Sequence, residues 1–130
     1  MYKTPGMFSK YLIPVSIFLS VISQSVMAQE STRIRHTVVF KLKHPPGSQE
    51  QKDFLVAAKK LSGIPGVEKF ECLKQVSMKN KFEYGLSMEF ANQHDYDQYS
   101  HHPDHVYFVQ NIWTKEVEDF LEIDYKVIPN

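Results

Sequence analysis

Residues Phe82 to Phe90 alternate without a break: Phe82, Tyr84, Leu86, Met88 and Phe90 against Glu83, Gly85, Ser87 and Glu89. A period of two sends successive side chains to opposite faces of a sheet, so this segment reads as a strand with one buried face. Three more segments carry the pattern. Ile34 to Lys43 sets Ile34, His36, Val38, Phe40 and Leu42 against Arg35, Thr37, Lys41 and Lys43. Val67 to Val76 is weaker, with Phe70, Cys72 and Val76 in phase. Near the end, Leu121, Ile123, Tyr125 and Val127 share a face opposite Glu122, Asp124 and Lys126. Each strand is expected to cover one apolar layer and to leave its other face mostly polar.

Helical spacing fills the gaps between strands. Pro45-Pro-Gly-Ser48 ends the first strand, and Ser48 with Gln51 has the form of a capping box. Phe54, Leu55, Ala58 and Leu61 then recur at helical intervals up to Gly63, a suitable stop. Ile64-Pro-Gly66 turns the chain into the second strand, and Asn80-Lys81 sits in a polar hairpin before the third. Asn92 is placed to cap a short helix over Gln93 to Ser100. His102-Pro103 breaks that helix, because a residue before proline is pushed out of the helical region. Proline then suits the first position of a new helix, whose apolar stripe is Val106, Val109, Trp113 and Val117 with Phe108 and Ile112 beside it. The order is β-α-β-β-α-β. The expected fold class is α+β, a ferredoxin-like antiparallel sheet with helices packed on one face.

The chain begins with an address. Lys3 and Lys10 form a basic region, Tyr11 to Val26 is largely apolar, and Val26-Met-Ala28 offers the small residues a signal peptidase reads. Residues 1–28 are therefore expected to be a signal peptide, and residues 29–130 a single domain that is secreted or periplasmic. The apolar run is short and interrupted by Pro14 and serines, so no stable membrane anchor is expected after cleavage. Removing Lys3 and Lys10 from 15 basic residues leaves 13 against 15 acidic ones, and that balance gives no support for nucleic-acid binding. Cys72 is the only cysteine, which excludes an internal disulfide. In phase with Phe70, it reads as a small buried hydrophobe.

Tyr99-Ser-His-His-Pro-Asp-His105 is where chemistry is expected. The segment gathers three of the six histidines, and histidine is the side chain whose charge changes nearest neutral pH. His105 and Tyr99 are candidate acid–base groups, and His36 joins them because it lies in phase with Ile34, Val38 and Phe40. Phe40, Tyr84, His102, Phe108 and Trp113 are candidate pocket residues. Each has a plainer account as well. His105 and His36 can be packed histidines satisfied by backbone or neighbours, Tyr99 an amphipathic core residue, and Phe108 and Trp113 core packing. His102 can orient the break through a side-chain to backbone hydrogen bond. His44 and His94 fall in turns, and the acids Glu116, Glu118, Asp119, Glu122 and Asp124 read as a solvated face with dimer contacts. His101, His102, Asp104 and His105 are ligand types for zinc or nickel, but Pro103 interrupts the helix face that would align them, so no metal is expected.

Taken together, several pieces resemble the stress-responsive dimeric A/B barrel (Dabb) family over nearly the whole mature region. They are Arg35-His-Thr-Val-Val-Phe-Lys-Leu-Lys43, Ile64-Pro-Gly-Val67, Phe82-Glu-Tyr84 with Phe90, Tyr99-Ser-His-His-Pro-Asp-His-Val106 and Ile123-Asp-Tyr125. The resemblance implies a homodimer in which two sheets close face to face. At the site the chain is similar to the plant polyketide cyclase branch of that family, olivetolic acid cyclase among them, which implies aldol-type ring closure without metal or organic cofactor. Tyr99 and His105 match the tyrosine and histidine of that branch, and His36 matches a pocket histidine. A neutral imidazole can take a proton from carbon beside carbonyls, while a phenol donates to the developing enolate. Leu73 departs from the family's usual glycine, which implies a differently shaped or narrower cavity floor. The expected function is binding of a small apolar carbonyl-bearing ligand, with cyclase, lyase or isomerase-type chemistry. The alternative is a stress-linked oligomeric module with no active site.

Overall fold

The computed structural model of the protein describes residues 32–130, so the expected signal segment lies outside the described residues. Four strands, β1 (Ile34–Leu42), β2 (Glu68–Lys74), β3 (Tyr84–Phe90) and β4 (Val117–Tyr125), alternate with α1 (Gln49–Lys59), α2 (Gln93–His101) and α3 (Pro103–Phe108). The sheet order is β2-β3-β1-β4, and every neighbouring pair is antiparallel. Thus β1 and β2 run the same way with β3 between them, the split arrangement of a ferredoxin-like fold. The α+β reading of the sequence is borne out. Among the described residues no helix is long and apolar enough to cross a membrane.

Local chemistry sets the helix limits. The Gln51 amide donates to Ser48 Oγ at 3.2 Å, starting α1, while the Gln51 side chain accepts from Gly47 N at 3.0 Å rather than closing a reciprocal box on Ser48. The helix tightens into a 3₁₀ turn over Lys60–Gly63. Gly66 then takes a positive φ of 89°, and a Cβ there would come within 3.2 Å of Asp95, so the turn into β2 needs glycine. Asn92 Oδ1 accepts from Asp95 N at 2.9 Å and starts α2. After α3 the chain makes a π-helical turn over Val109–Trp113, which shifts the phase of the stripe expected for one regular helix. Phe108 is buried, Val106 is exposed, and Val117 belongs to β4.

The core lies between the helices and one sheet face. Phe40, Leu86, Met88 and Phe90 from the sheet meet Phe54, Ala58 and Leu61 from the first helical segment and Tyr99 and Phe108 from α2 and α3. Aromatic rings make much of this layer: Phe40 stands 5.5 Å from Phe54 and 5.1 Å from Trp113, both tilted. Such pairs add about 0.5–1.5 kcal/mol each beyond area burial. Val76 lies past β2 and is fully exposed.

Strand β4 faces the opposite way from the expectation. Between Lys41 and Leu42 of β1 the register on β4 steps from Asp119 to Val117, leaving Glu118 as an extra residue. Such a bulge inverts which residues of the strand continue on a given side. Val117 packs inward opposite Leu42. Beyond the bulge Phe120, Glu122 and Asp124 lie opposite Phe40, Val38 and His36, on the helix side. Leu121, Ile123 and Tyr125 lie opposite Val39, Thr37 and Arg35, on the open face, where they are exposed. The acids therefore do not form one solvated face. Glu118 pairs with Lys41 at 3.1 Å, Glu116 with His44 at 2.9 Å and Asp119 with Lys81, while Glu122 and Asp124 turn toward the helices. His44, expected in free solvent, is thereby tied to Glu116, the residue just before β4.

Candidate functional site

The break between α2 and α3 positions two chemically capable rings. His102 is extended (φ −63°, ψ 136°), as a residue before proline must be, and its Nδ1 accepts from Asp104 N at 3.2 Å. It caps α3. One turn later, the His105 ring lies back over Tyr99 with centroids 4.4 Å apart, and its Nδ1 is 3.0 Å from the Ser100 carbonyl oxygen. A carbonyl only accepts, so Nδ1 carries the hydrogen and Nε2 keeps its lone pair. Burial pushes the His105 pKa down, against the opposing pull of the Ser100 carbonyl, which favours this neutral form. Tyr99 is 2 % exposed; burial first, then the Glu122 charge, push its phenol far up, so it remains a donor. Among the described residues the Tyr99 hydroxyl has no hydrogen-bond partner.

His36 stands on β1 across from these groups, its ring centroid 6.3 Å from that of Tyr99. Its Nδ1 lies 2.7 Å from Asp124 Oδ1 and 3.2 Å from the Tyr96 hydroxyl oxygen. That hydroxyl reaches Asp124 Oδ2 at 2.9 Å and Glu122 Oε1 at 3.3 Å. A carboxylate accepts from both, so Nδ1–H donates to Asp124 and Nε2, across the ring, is the accepting nitrogen. Burial, followed by Asp124 and Glu122, pushes the Tyr96 phenol well above its usual range. Tyr96 is not among the residues the sequence points to, and Glu122 and Asp124 read there only as part of a solvated face. Tyr96 has a signal there: it precedes Tyr99 by one helical turn and so shares its face. Glu122 and Asp124 have none without the bulge.

A cavity of about 360 Å³ opens between the helices and the sheet. His36, Tyr99, His105, Phe108 and Trp113 line it, together with Tyr96 and Glu122. Three of the expected pocket residues lie elsewhere. Phe40 is wholly buried in the core, Tyr84 packs 5.8 Å from it toward the other end of the sheet, and His102 is occupied with the helix cap. Leu73 lies on the open face opposite Gly85 and is exposed, so it does not narrow this cavity. Cys72 is half-buried, with its thiol pushed up by burial, which suits packing better than nucleophilic attack.

The site also holds donors for a cation. His36, Glu122 and Asp124 each offer one atom within 4.8 Å of the others. The His101–His105 group does not converge: His101 Nδ1 faces the Asp97 carbonyl, His102 Nδ1 the Asp104 amide and His105 Nδ1 the Ser100 carbonyl.

These features define a class: a ferredoxin-like chain with a histidine–tyrosine pocket between its sheet and helices. Residues 34–127 match the model of the Stress responsive A/B Barrel Domain, and the chain belongs to that family, Dabb. It is similar to the crystal structure of a Dabb protein with a ferredoxin-like fold from Mesorhizobium loti, at 56% identity over 75% of this chain and 99% of that one, with a TM-score of 0.74. A dimeric ferredoxin-like protein of unknown function from Bacteroides fragilis shares the fold at 24% identity, covering 73% and 96% of the two chains with a TM-score of 0.58. The hydroxynitrile lyase of Passiflora edulis also shares it, at 13% identity, 77% and 97% coverage and a TM-score of 0.68. No curated protein matches the sequence.

Proposed function

We propose that this chain binds a small apolar, carbonyl-bearing molecule in the cavity and catalyses proton transfer on it, as a cyclase, lyase or isomerase, with the chain's own residues moving the protons. One observation carries the reading: the Ser100 carbonyl holds His105 with Nε2 as its basic nitrogen, its ring tilted at 45° and 4.4 Å from that of a Tyr99 whose hydroxyl is unpartnered among the described residues. His105 Nε2 takes a proton from carbon beside the carbonyl. Tyr99 O–H donates to the carbonyl oxygen as it gains enolate charge. His36, held by Asp124 and Tyr96, presents a second accepting nitrogen on the sheet side. Val38, Leu86, Met88, Phe108 and Trp113 give the cavity apolar walls, and its volume is within the range of small-molecule pockets. A hydroxynitrile lyase of the same fold makes lyase chemistry compatible with this architecture.

The test is deuterium exchange, followed by NMR, at the carbons beside the carbonyl of benzylacetone. Wild type should accelerate exchange, and Tyr99→Phe or His105→Ala should each remove about 10²-fold or more of that acceleration while circular dichroism stays unchanged. Folded variants that exchange at the wild-type rate would leave the oligomeric-module reading in its place.

The same proposal includes export after cleavage before Gln29 and a homodimer formed through the open sheet face. Dimeric relatives of this fold support the second point, as do Leu73, Leu121, Ile123 and Tyr125, all exposed on that face.

A further inference from the structure

The charge of the cavity lining points to a narrower ligand class. Among the described residues no lysine or arginine lines it, and Glu122 is the one formally charged side chain in the wall; Asp124 lies just behind, bonded to His36 and Tyr96. With two carboxylates against one imidazole, the cluster is net negative in either protonation state of His36. Its field reaches the chemistry, since Glu122 contributes to keeping Tyr99 protonated.

Aromatic faces stand beside this charge. Phe120 and Glu122 alternate on β4 and so project to the same helix-facing side. Both line the cavity and both are about half exposed, which puts them at its mouth. Trp113 meets Phe120 edge-on, with centroids 5.5 Å apart and planes at 77°, and Phe108 lies 6.2 Å from Trp113. A carboxylate next to a corner of aromatic rings is the chemistry that recognises a cationic nitrogen, through an ion pair on one side and ring faces on the other. The same wall repels a carboxylate, which would enter beside Glu122 and Asp124 with no lysine or arginine among the described lining residues to meet it.

We infer that the ligand carries a protonated amine seated at Glu122 and the Trp113–Phe120 corner, with its apolar body and carbonyl directed toward Tyr99 and His105. This rests on the small-molecule reading above and deepens it: the substrate class is an amino-carbonyl compound, and carboxylic acids are excluded.

Trp113 is the single tryptophan of the chain, so its fluorescence reports occupancy directly. Three probes share one aromatic body: phenethylamine, phenethyl alcohol and hydrocinnamate. The amine should bind at least about tenfold more tightly than the alcohol, and the acid more weakly than either. Glu122 is half exposed, so Glu122→Gln is expected to fold; it should erase the amine's advantage, leave the alcohol unchanged and improve the acid. If the alcohol binds and the amine does no better, or if Glu122→Gln leaves amine affinity intact, the charge selection is wrong while the pocket stands. If no probe of any charge perturbs Trp113, the small-molecule reading falls as well.

Discussion

The His105 ring loses hydration in the folded chain, and a nearby His36 disfavours its charge further, while the Ser100 carbonyl and Glu122 pull the other way. The net effect places its titration below the ordinary histidine value of about 6.5. The folded protein then binds this proton less tightly than the unfolded chain does. The stability linked to His105 is whole above about pH 6.5 and is lost as pH falls from there through the lowered folded value. The base form also survives into mildly acidic solution. An NMR titration of the His105 ring should give a midpoint below that of an unfolded control. It should move lower still in Glu122→Gln, which removes an upward pull, and higher in His36→Ala. A wild-type midpoint at or above the control would contradict the desolvated placement of the ring.

Among the elements, β4 carries the largest consequence from the smallest irregularity. Glu118 is the extra residue of its bulge, and everything from Asp119 onward follows a regular ladder against β1. Deleting Glu118 should therefore regularise the strand without changing which side Glu122 and Asp124 face. The loss is confined to an exposed, solvent-screened ion pair with Lys41, plus local strain. The deletion variant should melt cooperatively, within about 8 °C of wild type, and keep the His105 titration midpoint. A collapse of stability, or a midpoint shifted as in Glu122→Gln, would show that the bulge itself holds the register.

For the whole molecule, the bulge decides the character of both sheet faces. It sends Leu121, Ile123 and Tyr125 to the open side and the carboxylates to the pocket side. The centre of the open face is the row Ser87, Thr37 and Ile123, far from the helix-covered core. On the proposed export and dimer, native mass spectrometry of the protein recovered from its producing cells should find two chains, each beginning at Gln29. Ile123→Glu should weaken that dimer at least about 100-fold, roughly 2.7 kcal/mol, with the monomer still folded. A single-chain mass for the wild type would refute the dimer, and a variant that dimerises as well as the wild type would move the interface elsewhere.

The sequence by itself determined the sheet, the helix break and the neighbourhood of Tyr99 and His105, because each rests on short-range physics. A period of two makes a strand, proline ends a helix, and a histidine just past the break falls back on the preceding turn. It did not determine which way β4 faces, because Leu121, Ile123 and Tyr125 offer an apolar face as good as any other when the strand is read alone. That choice belongs to pairing between residues 88 apart, where Asp124 meets His36. A one-residue bulge reverses every side chain beyond it, and a π-helical turn rephases the approach to Trp113. Only the tertiary structure decided those two offsets, and with them the Tyr96–Glu122–Asp124 cluster that gives the pocket its charge.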